Sequence, residues 1–167
     1  KTAMAREKEK KHLENLSYVD SLTYAQNRNH FNEYIEKNRR KELYSVGVIY
    51  LDLNGLKEIN DKMGHLAGDT LIISASYVLQ EIFADNSYRI GGDEFVVIEQ
   101  DVLESEFMSK YNKLLVRMKE LEISVATGYI WKERCFNLSE ILQEADQKMY
   151  EDKKRYYSIA QNDRRRR

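Results

Sequence analysis

The hydrophobic positions of the chain fall into stretches with a helical repeat and stretches without one. Residues 43–51, LYSVGVIYL, are nearly all apolar, which is typical of a central strand buried on both faces. Residues 122–131, and the two runs that flank the glycines of SYRIGGDEFVVI, predict three further strands. Apolar residues at steps of three and four predict four amphipathic helices. Their apolar faces contain Phe31, Tyr34 and Ile35; Leu71, Ala75, Val78, Leu79 and Ile82; Phe107, Tyr111, Leu114, Met118 and Leu121; and Leu138, Ile141, Leu142, Ala145 and Met149.

The order of these elements predicts the fold. From residue 43 onward it is strand, helix, strand, strand, helix, strand and one more helix. This order is typical of the split βαβ arrangement of ferredoxin-like domains. We therefore predict an α+β fold in which a central antiparallel sheet is flanked by helices.

The ends of the chain differ in composition from the middle. Residues 1–19 are charged and helix-prone, and only Leu13 and Leu16 have coiled-coil spacing, so we predict an N-terminal linker or signalling helix. We place the folded domain in residues 20–160. Residues 161–167 are interpreted as a basic tail, disordered or marking the end of the fragment.

Composition excludes several functions. The 27 Lys and Arg residues balance 28 Asp and Glu residues, so we expect no nucleic-acid partner and no membrane contact by this fragment. The single cysteine, Cys135, excludes an internal disulfide and a multi-cysteine zinc site. No apolar run approaches the roughly 18 to 20 residues that span a bilayer. We expect a cytoplasmic location, with any anchor to the inner face of the membrane lying outside this chain.

Two glycines and two carboxylates, Gly91, Gly92, Asp93 and Glu94, stand between two strand-forming runs. Gly-Gly suits a tight hairpin turn, and on that interpretation alone the acids are merely solvated. The predicted topology gives a second interpretation. If the hairpin's second strand is inserted between two parallel strands, the hairpin tip lies at the carboxyl end of the central strand, beside Asp52. Clustered carboxylates are costly without a cation, and their hard oxygens suit magnesium bound together with phosphates.

Four segments together resemble one protein family. The stretch RIGGDEFVVI is similar to the signature of the GGDEF family, the diguanylate cyclases, and DLNGLKEINDKMGHLAGDTLI resembles the family's Asp, phosphate-loop, Ile-Asn-Asp, Gly-His and Gly-Asp pattern. DSLTYAQNRNHF and ADQKMYEDKK resemble its opening and closing segments. The resemblance runs from about Asp20 to Lys153, in order and with fitting spacing.

This resemblance implies a nucleotidyl-cyclase or palm-like form of the fold and a reaction between two GTP molecules. One GTP on each of two facing domains would condense into cyclic di-GMP with loss of two pyrophosphates. The family implies a homodimer for catalysis and an upstream sensor domain in a full-length bacterial signalling protein. The alternative is a catalytically silent module that binds GTP and regulates by occupancy.

The resemblance also implies roles for single residues. Asp52, Asp93 and the Leu53 carbonyl would coordinate Mg²⁺, with Mn²⁺ as the alternative metal. Glu94 would support metal binding or deprotonate the 3′-hydroxyl, and we leave both open. The two glycines of the signature would let the backbone approach the nucleotide closely.

Further residues match the family's nucleotide contacts. Asn54, Gly55, Leu56 and Lys57 would lend backbone N–H groups to the β- and γ-phosphates as an anion nest. Lys153 corresponds to a phosphate-binding lysine, although a solvated charge is the alternative.

The family's guanine contacts correspond to Asn60 and Asp69. A carboxylate can accept hydrogen bonds from guanine N1–H and the exocyclic amine, which adenine does not offer. The alternative makes both residues caps or turn residues. His65 is interpreted as structural, because no other histidine or cysteine lies near it in sequence.

Three departures from the family pattern matter. The opening segment has Tyr24 and Ala25 in place of Gly-Leu, and Asn29 in place of its second arginine. Tyr157 stands where the family has a phosphate-binding arginine, which favours the silent module. Ile82 replaces the arginine of the Arg-x-x-Asp product-inhibition motif, so we expect negligible product inhibition.

Overall fold

The computed structural model describes residues 2–166, apart from the side chains of residues 14–16, so Leu16 of the predicted leucine pair lies outside the described side chains. The described helices are α1 (Ala3–Tyr18), α2 (Arg28–Asn38), α3 (Leu56–Met63), α4 (His65–Phe83), α5 (Glu104–Glu120) and α6 (Leu138–Arg165). The described strands are β1 (Leu43–Leu53), β2 (Ser87–Arg89), β3 (Glu94–Gln100) and β4 (Val125–Cys135).

The four strands form one sheet in the order β2-β3-β1-β4. Strand β1 pairs antiparallel with β3 and β4, and β2 pairs antiparallel with β3. Strands β1 and β2 are therefore parallel, with β3 between them, and helices α3 and α4 make the crossover. The predicted α+β fold with a split βαβ order is confirmed.

Two hydrophobic cores cover the two faces of the sheet. On one face Ile49 and Leu51 of β1 pack in a cluster with α4 and α5; on the other, Val48 and Tyr50 pack with α2 and α6. The predicted apolar faces of the helices contribute to both clusters, and the strands supply much of the rest. Leu121, predicted to lie on the apolar face of α5, is instead 45% exposed. Strand β1 is buried on both sides because its alternate residues serve different cores.

Helix α6 lies directly on the backbone of β4. An added Cβ at Gly128 would come within 2.2 Å of the Ala145 oxygen and 2.3 Å of the Met149 nitrogen. Only a residue without a side chain allows this approach. The contact sets the height of α6 above the sheet. It therefore also sets the position of the α6 side chains that face the end of β1.

The end of α6 differs from the sequence-based expectation. Residues 161–167 were expected to form a disordered basic tail, whereas the helix continues through Arg165. No proline or glycine interrupts residues 138–165, and Arg164 forms an ion pair with Glu58 of α3. The boundaries of the domain itself stay predictions.

Within residues 2–166, none of the helices combines the length and apolar character that crossing a bilayer requires. A cytoplasmic location and an anchor elsewhere in a longer protein stay predictions.

The turn between α1 and α2 contains a strained residue. Tyr24, where the family pattern has glycine, adopts a left-handed φ of 60° and is 77% exposed. This conformation costs a non-glycine residue about 1–2 kcal/mol. Replacing Tyr24 with glycine removes that cost, but glycine has more conformational entropy in the unfolded state, which offsets part of the gain. We expect Tyr24→Gly to raise the free energy of unfolding by roughly 0.5–1 kcal/mol in urea denaturation. Tyr24→Ala is the control, since equal stabilisation by alanine would implicate the ring and not the backbone.

Candidate active site

The end of β1 and the β2–β3 turn bring the predicted acids together. Asp52 lies opposite Glu94 in the β1–β3 register, and the Leu53 N–H donates to the Asp93 carbonyl at 3.0 Å. Burial, above all, raises the pKa of Asp52, and the neighbouring Asp93 raises it further, while a hydrogen bond from Lys153 partly offsets both effects. The predicted meeting of these carboxylates at one edge of the sheet is confirmed.

Lys153 of α6 completes this cluster from above the sheet. Its Nζ lies 2.8 Å from Asp52 Oδ2. Burial lowers the pKa of Lys153, but the ion pair with Asp52 outweighs it and leaves that pKa above its usual range. The interpretation of Lys153 as a solvated surface charge is therefore wrong.

The second oxygen of Asp52 is unusual. Asp52 is 5% exposed, and its Oδ1 has no hydrogen-bond partner among the described residues. Leaving a charged oxygen buried without a partner costs about 1–3 kcal/mol or more. Such an oxygen, beside the Asp93 carboxyl group, suits a cation as its partner.

The donor set fits magnesium held jointly with phosphates. Among the described residues, no group of three or more His, Cys, Asp or Glu side chains is arranged to hold a metal by itself. The Asp52 and Asp93 carboxylates and the Leu53 carbonyl instead offer a few hard oxygens. Magnesium typically uses one or two carboxylates together with water and substrate phosphates.

A fourth acid, Asp146, was not singled out from the sequence. It lies on α6 seven residues before Lys153, and thus on the same helical face. Burial, followed by the charge of Asp146, raises the pKa of Glu94, and the Asp52 and Asp93 charges add to that effect. The signal in the sequence was the two-turn spacing within ADQKMYEDKK, which is meaningful only once α6 is known to cross the site.

The predicted phosphate loop forms a tight corner after β1. Asn54 is buried, and its N–H and side-chain amide donate to the backbone and side-chain oxygens of Ser124 at 2.9 and 3.1 Å. Gly55 adopts a left-handed φ of 71° and caps α3 without a side-chain hydrogen bond. The N–H groups of the first turn of α3, which begins with Leu56 and Lys57, are therefore available to an anion.

Asn60 and Asp69 are brought together by the contact of α3 with α4. An added Cβ at Gly68 would lie 1.8 Å from Asn60 Oδ1, and Asp69 follows Gly68 in α4. Asn60 Oδ1 is buried and has no partner among the described side and main chains. The N-caps of α3 and α4 are Gly55 and Gly64, so the interpretation of Asn60 and Asp69 as helix N-caps is wrong. His65, the first residue of α4, is exposed.

The surface of the product-inhibition motif offers few free cations. Ile82 is half-buried against the core. Arg117 pairs with Glu81, next to Ile82, and Lys110 pairs with the buried Glu99 at 2.9 Å.

We therefore expect turnover to persist as cyclic di-GMP reaches the order of tens of micromolar, because cations already paired with carboxylates bind a dianionic product weakly. Initial rates at increasing product concentration measure this. Inhibition that Asp85→Ala relieves would contradict the expectation.

The sheet order and the crossover helices define an α+β domain with the split βαβ order, in which acids gather at the carboxyl end of β1. The chain belongs to the GGDEF family: the family profile described as "Diguanylate cyclase, GGDEF domain" matches residues 17–157. No role of an individual residue follows from this membership alone.

Two curated relatives and one solved structure illustrate the similarity. Signaling protein YkoW of Bacillus subtilis (strain 168) is 34% identical over 175 residues, which cover 92% of this chain and 22% of YkoW. Cyclic di-GMP phosphodiesterase PdeR of Escherichia coli (strain K12) is 30% identical over 147 residues, covering 81% of this chain and 22% of PdeR. The chain thus spans about a fifth of either relative. The coiled coil and GGDEF domain of DgcB from Caulobacter crescentus, solved with c-di-GMP, has a TM-score of 0.73 at 21% identity, covers 90% of each chain and shares the fold.

Proposed function

We propose that this domain is a diguanylate cyclase, which condenses two GTP molecules into cyclic di-GMP and two pyrophosphates. The observation that carries the proposal is the buried Asp52 carboxylate, with one oxygen on Lys153 and the other unpartnered beside Asp93. A buried ion pair that only stabilises the fold needs further hydrogen bonds to its remaining lone pairs, and none is present at Asp52 Oδ1 among the described residues. An oxygen left open at the edge of the sheet suits a cation that arrives with phosphates.

Asp52, Asp93 and the Leu53 carbonyl would hold Mg²⁺, with Mn²⁺ as the alternative. When bound, the metal supplies neutralisation of the charge on the α-phosphate and the leaving pyrophosphate. Lys153 fixes the Asp52 carboxylate and adds a positive charge for the phosphates. Glu94 is suited to accept the proton of the attacking 3′-hydroxyl, since burial and nearby acids raise its pKa and make its carboxylate a stronger base.

The corner after β1 would bind the β- and γ-phosphates through the backbone N–H groups of Gly55, Leu56 and Lys57, because no side chain caps the first turn of α3. The prediction that Asn54 also lends its N–H is wrong, since that N–H donates to the Ser124 carbonyl at 2.9 Å. Asn60 and Asp69 would bind the guanine edge. The contact at Gly68 places Asn60 at the base of the α3–α4 junction, which suits a planar base more than a phosphate.

Two domains are needed for the reaction. The residues proposed above provide contacts for one GTP. Each 3′-hydroxyl would attack the α-phosphorus of the other nucleotide, so two copies of the domain must face each other. We propose a homodimer whose approach is controlled by an upstream sensor through α1. GTP is the substrate, and the net charge of −1 gives no general attraction to nucleic acid.

The test is product formation by a dimerised protein. Fusing a dimeric coiled coil ahead of residue 1 raises the effective concentration of the second domain. Incubation with GTP and magnesium should then release cyclic di-GMP and pyrophosphate in a ratio of one to two. The unfused protein should show turnover that rises faster than linearly with its concentration unless it is already dimeric.

A second candidate is a silent module that binds GTP without turnover. Tyr157 favours it, because an exposed phenol stands where the family has a phosphate-binding arginine. The relative named as a phosphodiesterase shows that this type of domain also occurs in proteins named for another activity. Saturable GTP binding by the fused dimer with no cyclic di-GMP would establish this candidate and refute the cyclase.

Base selection gives a separate prediction that holds for both candidates. Asp69→Ala should weaken GTP binding by roughly 1–3 kcal/mol, because guanine donors lose a charged acceptor. Calorimetric titration with GTP in calcium or magnesium measures this. Asp61→Ala, which removes an exposed acid from α3, is the control. Equal GTP affinity in Asp69→Ala and the parent protein would rule out the guanine contact.

A further inference from the structure

Arg89, the last residue of β2, connects the turn after α1 with the turn of the GGDEF signature. Its Nη1 lies 3.0 and 3.2 Å from the two carboxylate oxygens of Asp20. Its Nη2 donates to the Gly92 carbonyl at 2.9 Å. The side chains of Arg89 and Asp20 are only 14% and 20% exposed, so solvent screens this ion pair less than a surface pair.

The Asp20 end of this connection is held rigidly. Asp20 Oδ2 accepts from the N–H and the hydroxyl of Thr23 at 2.9 and 2.8 Å. The Asp20 backbone N–H donates to the Ala25 carbonyl at 2.8 Å and closes the turn. The Asn27 N–H and side-chain amide each donate at 2.8 Å to the carbonyls of Tyr18 and Ser17 at the end of α1, so hydrogen bonds tie this turn to α1.

The signature-turn end has a direct relation to the acidic site. The Gly92 carbonyl belongs to the peptide bond that leads into Asp93, and a planar peptide turns as one body. Holding that oxygen therefore sets the direction in which the Asp93 backbone leaves the turn. A second arginine, Arg28 of α2, donates to the Ile90 carbonyl at 2.9 Å and restrains the other side of the turn.

We propose that Arg89 is a positioning residue for the acidic site, and that the Asp20–Arg89 ion pair transmits the position of the α1 turn to the Gly92–Asp93 peptide. Here the planar fork binds a carboxylate with one nitrogen and a carbonyl with the other, which a lysine cannot do in fixed geometry. The effects on turnover and on metal binding rest on the proposed function, whereas the effect on the turn does not.

The experiment compares Arg89→Gln and Arg89→Lys with Arg117→Gln in the full chain. Arg117 is the matched control, because its guanidinium bridges Glu81 and Glu120 on the opposite side of the sheet from α6. Amide hydrogen exchange across residues 89–95 reports the turn. Mn²⁺ binding in the presence of a GTP analogue that cannot lose pyrophosphate, followed by electron paramagnetic resonance, reports the acidic site. With GTP, kcat and KM are measured separately.

Arg89→Gln should speed exchange in the turn, weaken Mn²⁺ binding and lower kcat by roughly 10- to 100-fold with little change in KM, because a small displacement of a ligand is costly. Arg89→Lys should restore little of this. Arg117→Gln should change none of the three readouts. If Arg89→Gln matches Arg117→Gln in exchange and Mn²⁺ affinity, the positioning role is refuted.

Transmission is tested with Asp20→Asn. It should reproduce the faster exchange and weaker Mn²⁺ binding of Arg89→Gln, and the double variant should be no worse than Arg89→Gln alone. Additive effects, or an Asp20→Asn variant with a normal turn, would refute the link. If the parent protein binds Mn²⁺ but makes no cyclic di-GMP, the proposed function fails while the exchange readout still decides this inference.

Discussion

Asp52→Asn and Asp93→Asn should each reduce cyclic di-GMP formation in magnesium by about 100-fold or more. Asparagine keeps the size of the side chain but removes the charge, so the donor set loses half of its carboxylates. The loss should appear with either substitution, because each residue supplies a different oxygen to the same cation.

The fold of these variants should persist. In Asp52→Asn the buried oxygen without a partner becomes a neutral amide oxygen, which is cheaper to bury than a carboxylate. The cost is an unpaired Lys153, which is 28% exposed and can reach water. Circular dichroism and urea denaturation should therefore show a folded protein with cooperative unfolding.

Glu99→Gln provides the matched control for both variants. Glu99 is also a buried carboxylate in an ion pair, 2.9 Å from Lys110, but it faces α5 and not the acidic site. It should lower stability and leave turnover of the folded protein near the parent value. Near-normal turnover of Asp52→Asn or Asp93→Asn in magnesium would refute the metal assignment.

The sheet and the acidic cluster could be predicted because both follow from local patterns combined with one topological rule. Residues 43–51 are nearly all apolar, so both faces of this strand are apolar, and the sequence alone identifies it as the central strand. Handedness and strand order then bring the hairpin tip to Asp52. The observed pairing of Asp52 with Glu94 is the result of these constraints.

What could not be predicted depends on contacts between distant segments. The length of α6 is set partly by Arg164 meeting Glu58, and nothing near residue 155 indicates where the helix ends. Asp146 gains its influence on Glu94 only because α6 crosses the sheet at that height. Tyr24 occupies a left-handed position that its own side chain disfavours, so hydrogen bonds of the surrounding turn decide the conformation.

Gly128→Ala should lower the free energy of unfolding by roughly 1–3 kcal/mol and should also depress turnover of the protein that remains folded. The added Cβ would meet the Ala145 oxygen at 2.2 Å and the Met149 nitrogen at 2.3 Å. Both atoms belong to the α6 backbone and cannot rotate away as a side chain can. Helix α6 must therefore move off β4.

Displacement of α6 reaches the acidic site through Lys153, which lies one turn beyond Met149. The displacement lengthens the 2.8 Å contact between Lys153 and Asp52, so the ion pair no longer orients the Asp52 carboxylate. The same displacement moves Asp146 away from Glu94. A misplacement of about 1 Å in such a site can cost on the order of 100-fold in rate. The two effects, on stability and on turnover, thus have a common cause.

Gly47→Ala separates the two effects. Gly47 lies in β1, and an added Cβ there would meet the Phe107 ring at 2.3 Å, in the core that faces α5. This variant should also be destabilised by overpacking, but α6 and Lys153 should stay in place. Urea denaturation gives the stability of each variant, and initial rates per folded molecule give its turnover. If both variants keep the parent protein's rate per folded molecule, the height of α6 above the sheet does not control the site.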